Sequence, residues 1–444
     1  MASLTRRDFV RSTGLSGAAL MAPLLKTGFA NNSPNETIQV AVMGIRSRGT
    51  AHALTLAKLP NVNVAALCDV DERLLPKLAA DVEKISGKKP TTETDIRKVL
   101  ENKEIDAISI AAPNHWHALA TIWACQAGKH VYVEKPVSYN IFEGRKMVEA
   151  SRKYDRIVQT GTQNRTSPLV QSAMDFLHAG KLGKIYMVKC VVFRPRETLG
   201  RKANSAVPPG VNYDLWVGPA PWRPFNENRF HYNWHWFWDT GNGETGNNGP
   251  HYTDVARWAL QKYEHPKRIQ SMGGCDVFDS DQETPNTQMS MMEYADGTRV
   301  QMEVRGLYTN AEDGIRMGLL FYGSEGWMHL GGSQWKTFFG RKNEPGEQRS
   351  DKGDEHTTEV KLTEDGAHFW NFIEAVRANK RELLKADILE GHLSAAMCHL
   401  SNIAYRTGRQ VVFDSANECF HGDAEASSLL RREYRLPFVV PEKV

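Results

Sequence analysis

The 444-residue chain lacks a paired-cysteine framework. Its six cysteines stand far apart, at positions 68, 125, 190, 275, 398 and 419. None falls in a C-x-x-C or zinc-ligand spacing, so neither a disulfide scaffold nor a metal centre is expected. Those within expected strands and helices read as free core thiols. Charge of one sign is lacking too: 55 Lys and Arg against 52 Asp and Glu leave a net charge of +3. No basic block points to nucleic acid, and no acidic tail points to a disordered binding arm. No apolar run beyond the N-terminus is long enough to span a bilayer, and no internal repeat is visible. What remains is a chain 41% apolar and 24% charged, long enough for two domains with cores of their own.

The chain is organised around Thr37 to Asp69, TIQVAVMGIRSRGTAHALTLAKLPNVNVAALCD. Ile38–Met43 is an apolar, β-branched run suited to a strand buried on both faces. Gly44-Ile-Arg-Ser-Arg-Gly49 follows, then helix-compatible spacing over Thr50–Leu59, then a second strand over Val62–Cys68. Asp69 ends that strand, 20 residues after Gly49. This is the layout of a dinucleotide-binding βαβ unit. Gly44 permits the sharp turn, Gly49 lets helix and strand approach, and the helix N-terminus faces the pyrophosphate. Asp69 is placed for the adenosine ribose hydroxyls, which favours NAD over NADP. The middle glycine of the fingerprint is replaced by Arg46, which must turn aside or bind the pyrophosphate itself. Arg46 and Arg48 keep NADP open as the less favoured cofactor.

Residues 1–30 stand outside the fold. Thr5-Arg-Arg-Asp-Phe-Val-Arg11 resembles a twin-arginine export signal, Gly14–Leu25 is a short apolar stretch, and Gly28-Phe-Ala30 offers a cleavage site. That route carries folded proteins to the periplasm or beyond, where no free nicotinamide pool is expected. A nucleotide enzyme exported so must carry its cofactor with it and restore its redox state in each cycle.

Further on, Ile105–Ala111 reads as a buried strand running into Ala112-Pro-Asn-His-Trp-His-Ala118, and His130–Val133 as a strand running into Glu134-Lys135-Pro136. Loops at the carboxyl ends of such strands are where open α/β sheets bind ligands. PNHWHA followed by HVYVEKP resembles the Gfo/Idh/MocA oxidoreductases, the group containing glucose–fructose oxidoreductase and inositol dehydrogenase. The resemblance runs from about residue 36 to the C-terminus. It implies a doubly wound Rossmann domain over 36–160 and an α+β domain over 161–444, built on a large, mostly antiparallel open sheet. It further implies that Lys135 lies beside the nicotinamide and touches the substrate hydroxyl, with Pro136 after a cis peptide. Asn114, His117, Glu134 and Gln163 would line the cofactor groove. His115 and Trp116, in the same loop, have no assigned role.

In the second domain, Ile185–Phe193, Pro266–Gly273, Thr287–Tyr294, Arg299–Arg305, Gly318–Tyr322 and Gly326–Leu330 read as strands, with a hairpin turn at Ala295-Asp-Gly-Thr298. Asn343–His356 reads as a polar loop, and the LPFVVP tail as packing on the sheet or a neighbouring subunit. Six of the eleven tryptophans lie between Trp216 and Trp258. Aromatic faces among amides and imidazoles suit sugars, so Trp234, Trp236 and Trp238 are candidate substrate contacts; packing of a long loop is the alternative. Gly246-Asn-Asn-Gly-Pro-His251 resembles the family's D-x-x-x-H segment, with Asn247 in the Asp position. His251 would then take the hydroxyl proton, with Lys135 stabilising the alkoxide. Asn247 removes the carboxylate that would orient and stabilise the imidazolium. Asp254, Arg257, His368 and His392 fit structural roles equally well.

These features point to an exported, NAD-carrying oxidoreductase acting on a CH–OH group of a sugar or polyol, as a dimer or tetramer. The first alternative is a glycoside hydrolase that uses NAD transiently, through oxidation, elimination, hydration and re-reduction. The second is a non-catalytic sugar-binding protein with a vestigial nucleotide site.

Overall fold

A computed structural model describes residues 37–307, 311–312, 314–351 and 364–444. The export-signal segment, and the end of the expected loop at 352–356, lie outside the described residues.

The first sheet has six parallel strands: β1 Ile38–Met43, β2 Val62–Cys68, β3 Thr91–Glu93, β4 Ala107–Ile110, β5 His130–Val133 and β6 Val158–Thr160. Their order is β3-β2-β1-β4-β5-β6. The central strands are buried on both faces, as their unbroken apolar runs require. The order reverses between β1 and β4, and a crevice opens there at the strands' carboxyl ends. Gly44, at φ +77°, leaves β1 so close to β4 that an added Cβ would lie 2.6 Å from the Ala112 backbone nitrogen. A Cβ on Gly49 would lie 1.8 Å from the Gly44 carbonyl. These two contacts set the turn. Helix Arg48–Leu56 then starts at Ser47, beside the crevice, without a side-chain cap.

The second sheet holds β7 Ile185–Phe193, β8 Arg268–Gly274, β9 Thr287–Glu293, β10 Arg299–Arg305, β11 Met317–Gly323, β12 Gly326–Gly331, β13 Gln334–Phe339, β14 Glu344–Ser350 and β15 Val411–Val412. The order is β14-β13-β12-β11-β7-β10-β9-β8-β15, and every pairing but β7–β10 is antiparallel. Val188, Cys190, Val300, Met302 and Phe321 face helices Pro168–His178, Gly249–Leu260 and Ile388–Thr407. On the opposite face Tyr186, Met272, Met289 and Met291 are exposed.

Two expectations are corrected here. The polar stretch from Asn343 is not a loop up to Ser350, because β14 pairs with β13 through backbone bonds that need no apolar side chains. The tail packs on the first domain rather than on the second sheet: Phe438 sits edge-on against Trp116, 5.5 Å between ring centroids, and joins the core of the first domain with Val440 and Val444. Of the cysteines, Cys275 is exposed and Cys419 half-buried; the other four are buried, and all six are free.

Between the domains lies a buried ion cluster. Arg165 donates to both oxygens of Asp254, at 2.8 and 2.9 Å, and to Glu390 at 3.0 Å. Ser394 also donates to Asp254, and Arg257 bonds Ser394 and Glu390. Asp254 and Arg257 are therefore structural, and His368 and His392 are buried among packed helices. Removing one partner of a buried pair strands the other's charge, so Asp254→Ala should lower unfolding free energy by about 3–5 kcal/mol in urea titration.

Candidate active site

The crevice continues into a cleft of about 360 Å³ between the carboxyl ends of the first sheet and the helices at 243–260. At one end stand Gly44, Arg46 and Asp69. The Asp69 carboxylate accepts the Ile45 N–H at 2.8 Å and the Asp71 N–H at 2.9 Å, so it braces the fingerprint turn. Burial pushes its carboxyl up to about 6, against those two bonds. Arg46 is exposed on the cleft wall. Arg48 is committed elsewhere: it bonds Glu134 at 2.7 Å and both oxygens of Asp365. Gly49 lies beneath the turn and does not line the cleft.

In the middle, Asn114, His117, Glu134 and Gln163 all line the cleft. The Asn114 amide nitrogen donates to Asn242 at 2.9 Å, while its Oδ1, and Oε1 of Gln163, are buried without partners. Two orphaned acceptors on one wall suit a ligand carrying N–H donors. His117 is less free than expected: its ring nitrogens face the carbonyls of Pro136 and Ala112, each at 2.7 Å. Glu134 is a correction of role. Its carboxylate is occupied by Arg48 and by His52 at 3.0 Å, which hold it well below the usual range despite burial. It supports the turn from behind rather than offering itself to a ligand.

At the far end Lys135, Asn247 and His251 come together. The Lys135–Pro136 peptide is cis. The Lys135 ammonium donates to the backbone carbonyl of Asn247 at 2.8 Å, not to its side chain. Burial lowers the Lys135 pKa. Asn247 and His251 lie on either side of a break at Asn248, between helices Gly243–Asn247 and Gly249–Leu260, and both face the cleft. His251 is pushed down to about 3, first by burial and then by the Lys135 charge, and its Nδ1 has no partner. No carboxylate replaces the missing Asp beside it: Glu244, one turn back, is held by Arg196 at 2.8 Å and by Asn248.

The tryptophan block divides. His231–Trp236 is a 3₁₀ turn, in which residues three apart share a side. His231 and Trp234 face the cleft, whereas Trp236 turns away and is buried under Arg196. Trp238 lies past the turn, between Tyr405 and Arg406. Of the three expected sugar contacts, only Trp234 is in place. Sequence reasoning missed Arg194, Tyr232 and Phe230 on the cleft wall. None belongs to a motif; only the aromatic density around 230 marks the region.

The comparisons with known proteins agree with this geometry. Residues 38–162 match the oxidoreductase family's NAD-binding Rossmann fold, and residues 196–315 with 346–440 match its C-terminal alpha/beta domain. The chain belongs to the Gfo/Idh/MocA oxidoreductase family. It is 26% identical over 170 residues to a glycosyl hydrolase family 109 protein of Shewanella pealeana, covering 34% of this chain and 37% of that one. It is 29% identical over 154 residues to the levoglucosan dehydrogenase of Pseudarthrobacter phenanthrenivorans, covering 34% and 39%. The chain thus spans about four tenths of these two curated relatives. A solved levoglucosan dehydrogenase, in complex with NADH and levoglucosan, superposes with a TM-score of 0.64 at 17% identity, covering 85% of this chain and 99% of that one. The WlbA dehydrogenase of Bordetella pertussis, in complex with NADH and UDP-GlcNAcA, gives 0.62 at 19%, covering 85% and 99%. At such identities the likeness is one of fold.

The two tight glycines, the uncapped helix N-terminus, Asp69 and the orphaned acceptors of Asn114 and Gln163 all fit NAD in this family's fold. A ribose hydroxyl needs the ionised form of Asp69 as acceptor. With the carboxyl near 6, NAD affinity should be flat above that pH and weaken by about tenfold per unit below it. Calorimetric titration from pH 8 to pH 4.5 checks this, and Asp69→Asn should abolish the pH dependence.

Proposed function

We propose that this protein is an NAD-dependent oxidoreductase that oxidises a CH–OH group of a sugar or polyol and keeps its cofactor through the cycle. The observation that carries the reading is the convergence of Lys135 and His251 at the end of a cleft that starts at the dinucleotide turn. Bound NAD would supply the hydride acceptor. Lys135 holds a positive charge where the substrate oxygen turns into an alkoxide, in a buried site where that charge is weakly screened. His251 is neutral at pH 7 and takes the hydroxyl proton. Trp234 offers an apolar face to the same cleft.

The twin-arginine segment supports export with the cofactor already in place. The exposed apolar face of the second sheet, around Tyr186, Met272, Met289 and Met291, fits pairing with a second copy.

A second reading is favoured by the glycosyl hydrolase family 109 names among the relatives. A glycosidase that oxidises a ring hydroxyl acidifies the neighbouring C–H. Loss of that proton expels the aglycone, water adds to the resulting double bond, and the hydride returns to the carbonyl carbon. Release of aglycone from an aryl glycoside without a second redox substrate supports it.

Lys135→Ala should lower turnover by on the order of 10²–10⁴-fold. Protein purified without added nucleotide should release about one NAD(H) per chain on denaturation, in the variant as in the wild type. Unchanged turnover in the variant would remove Lys135 from the chemistry. An empty wild-type protein would remove the retained cofactor.

A further inference from the structure

One aromatic cluster, around Trp216, lies beside the loop after β2 on the Asp69 side of the cleft. Tyr213, Trp216, Phe225 and Phe230 form a cluster that packs against Val70, the residue after Asp69. Tyr213 and Trp216 are stacked, and Phe230 meets both Trp216 and Phe225. Trp216 and Phe230 line the cleft on the side of Asp69.

This cluster belongs to the second half of the chain, yet it is fastened to the nucleotide fold. The Glu72 N–H donates to the Gly210 carbonyl at 2.9 Å, and the Asn212 N–H to the Val70 carbonyl at 2.8 Å. Asp71 and Val211 form an antiparallel bridge between them. Further along, the His231 Nε2 lies 3.1 Å from the Asp71 carboxylate. His115 and Trp116, which had no role in the motif, hold the other side: His115 Nε2 donates to the Trp216 carbonyl and Trp116 Nε1 to the Leu215 carbonyl, both at 2.9 Å. Gly218 lies so close to the Trp116 indole that a Cβ would be 2.4 Å away.

We propose that residues 210–236 form a strap across the adenosine half of the bound dinucleotide, and that opening this strap sets the rate at which the cofactor leaves. The proposal rests on the NAD reading above. Asp69 marks where the ribose lies, and the strap passes over that point. Trp216 and Phe230 offer apolar ring faces to a flat base. The carboxyl ends of an open α/β sheet ordinarily leave this crevice open on one side. Here the strap closes that side with side chains already packed on one another. Along the chain, the bridge at Gly210 to Asn212 is the strap's inner link and the His231–Asp71 contact its outer one. Tyr213, Trp216, Phe225 and Phe230 are accordingly assigned to cofactor retention rather than to sugar binding.

The test loads full-length protein with NADH, chases it with a large excess of NAD⁺, and follows the loss of bound-NADH fluorescence. His231→Ala removes the outer link. Gly210→Ala strains the inner one, because its φ is +81° and a Cβ would press on the Glu72 and Arg73 side chains at 3.1–3.2 Å. Both variants should release NADH at least about tenfold faster than wild type, a change in off-rate rather than on-rate. Thermal unfolding checks that each is folded; His231→Ala decides alone if Gly210→Ala is not. Release at the wild-type rate from a folded variant overturns the strap while leaving the NAD reading intact. Wild-type protein that binds no NADH overturns that reading itself.

Discussion

A carboxylate taken out of water must be met by charge, and in this fold Glu134 is met by Arg48. The pair joins two segments that are 86 residues apart in the chain. Arg48 is the first residue of the helix that follows the glycine turn, and Glu134 precedes the lysine at the end of β5. His52 completes the arrangement from the next turn of the same helix, with Ser109 of β4 on its other nitrogen. Asp365 takes the remaining face of Arg48. Leaving any of these charges buried alone would cost several kcal/mol. The glycine turn and Lys135 are thereby held in one register. A shift of either would break the same ion pair, so the cleft's two ends are mechanically one object.

The second domain reaches this object at both ends. The Arg165–Asp254–Glu390 cluster anchors the helix that carries His251 to the segment leaving the first sheet. The strap anchors the aromatic block to the loop after β2. Phe369 and Phe372 pack on Tyr132 of β5, and the C-terminal tail packs on the helix that begins at Asn114. Elements late in the sequence therefore brace strands early in it. This gives the cleft rigid walls on both sides, which positioning of a hydride donor and acceptor demands.

Where local chemistry decides structure, the sequence was legible. Apolar runs marked β1, β2 and β4, and the glycines at 44 and 49 marked the turn because only a missing Cβ allows contacts at 1.8 and 2.6 Å. Asp69 was placed by the same means, Lys135 and His251 only by resemblance to the family's motifs, and each lines the cleft. What escaped was set by distance along the chain. Glu134 reads as a ligand contact until Arg48 and His52 are seen to occupy it. The tryptophans at 234, 236 and 238 look equivalent in sequence; the pitch of the 3₁₀ turn separates the first two, and the third lies beyond it. β14 carries no apolar alternation, because its position at the sheet edge requires only backbone pairing. His115 and Trp116, though inside the PNHWHA motif, had no assigned role because their partners are backbone carbonyls a hundred residues on.

The replacement of the usual acid by Asn247 bears on which net reaction the site favours. With its pKa near 3, protonating His251 at pH 7 is uphill by about 5 kcal/mol, at about 1.4 kcal/mol per unit. A carboxylate one turn away would recover much of that, but Glu244 is already bound to Arg196 and Asn248. Oxidation that ends with the proton lodged on His251 is therefore unfavourable. The cost falls if the substrate's growing negative charge offsets Lys135 at the moment of transfer. It also falls if the proton is handed back within the same cycle. An oxidation followed by return of both hydride and proton satisfies this condition, whereas a one-way dehydrogenation requires a route to carry the proton out. A cofactor held in place by the strap imposes the same condition on the hydride. The two constraints arise at opposite ends of the cleft, from different residues, and both favour a cycle that closes on itself.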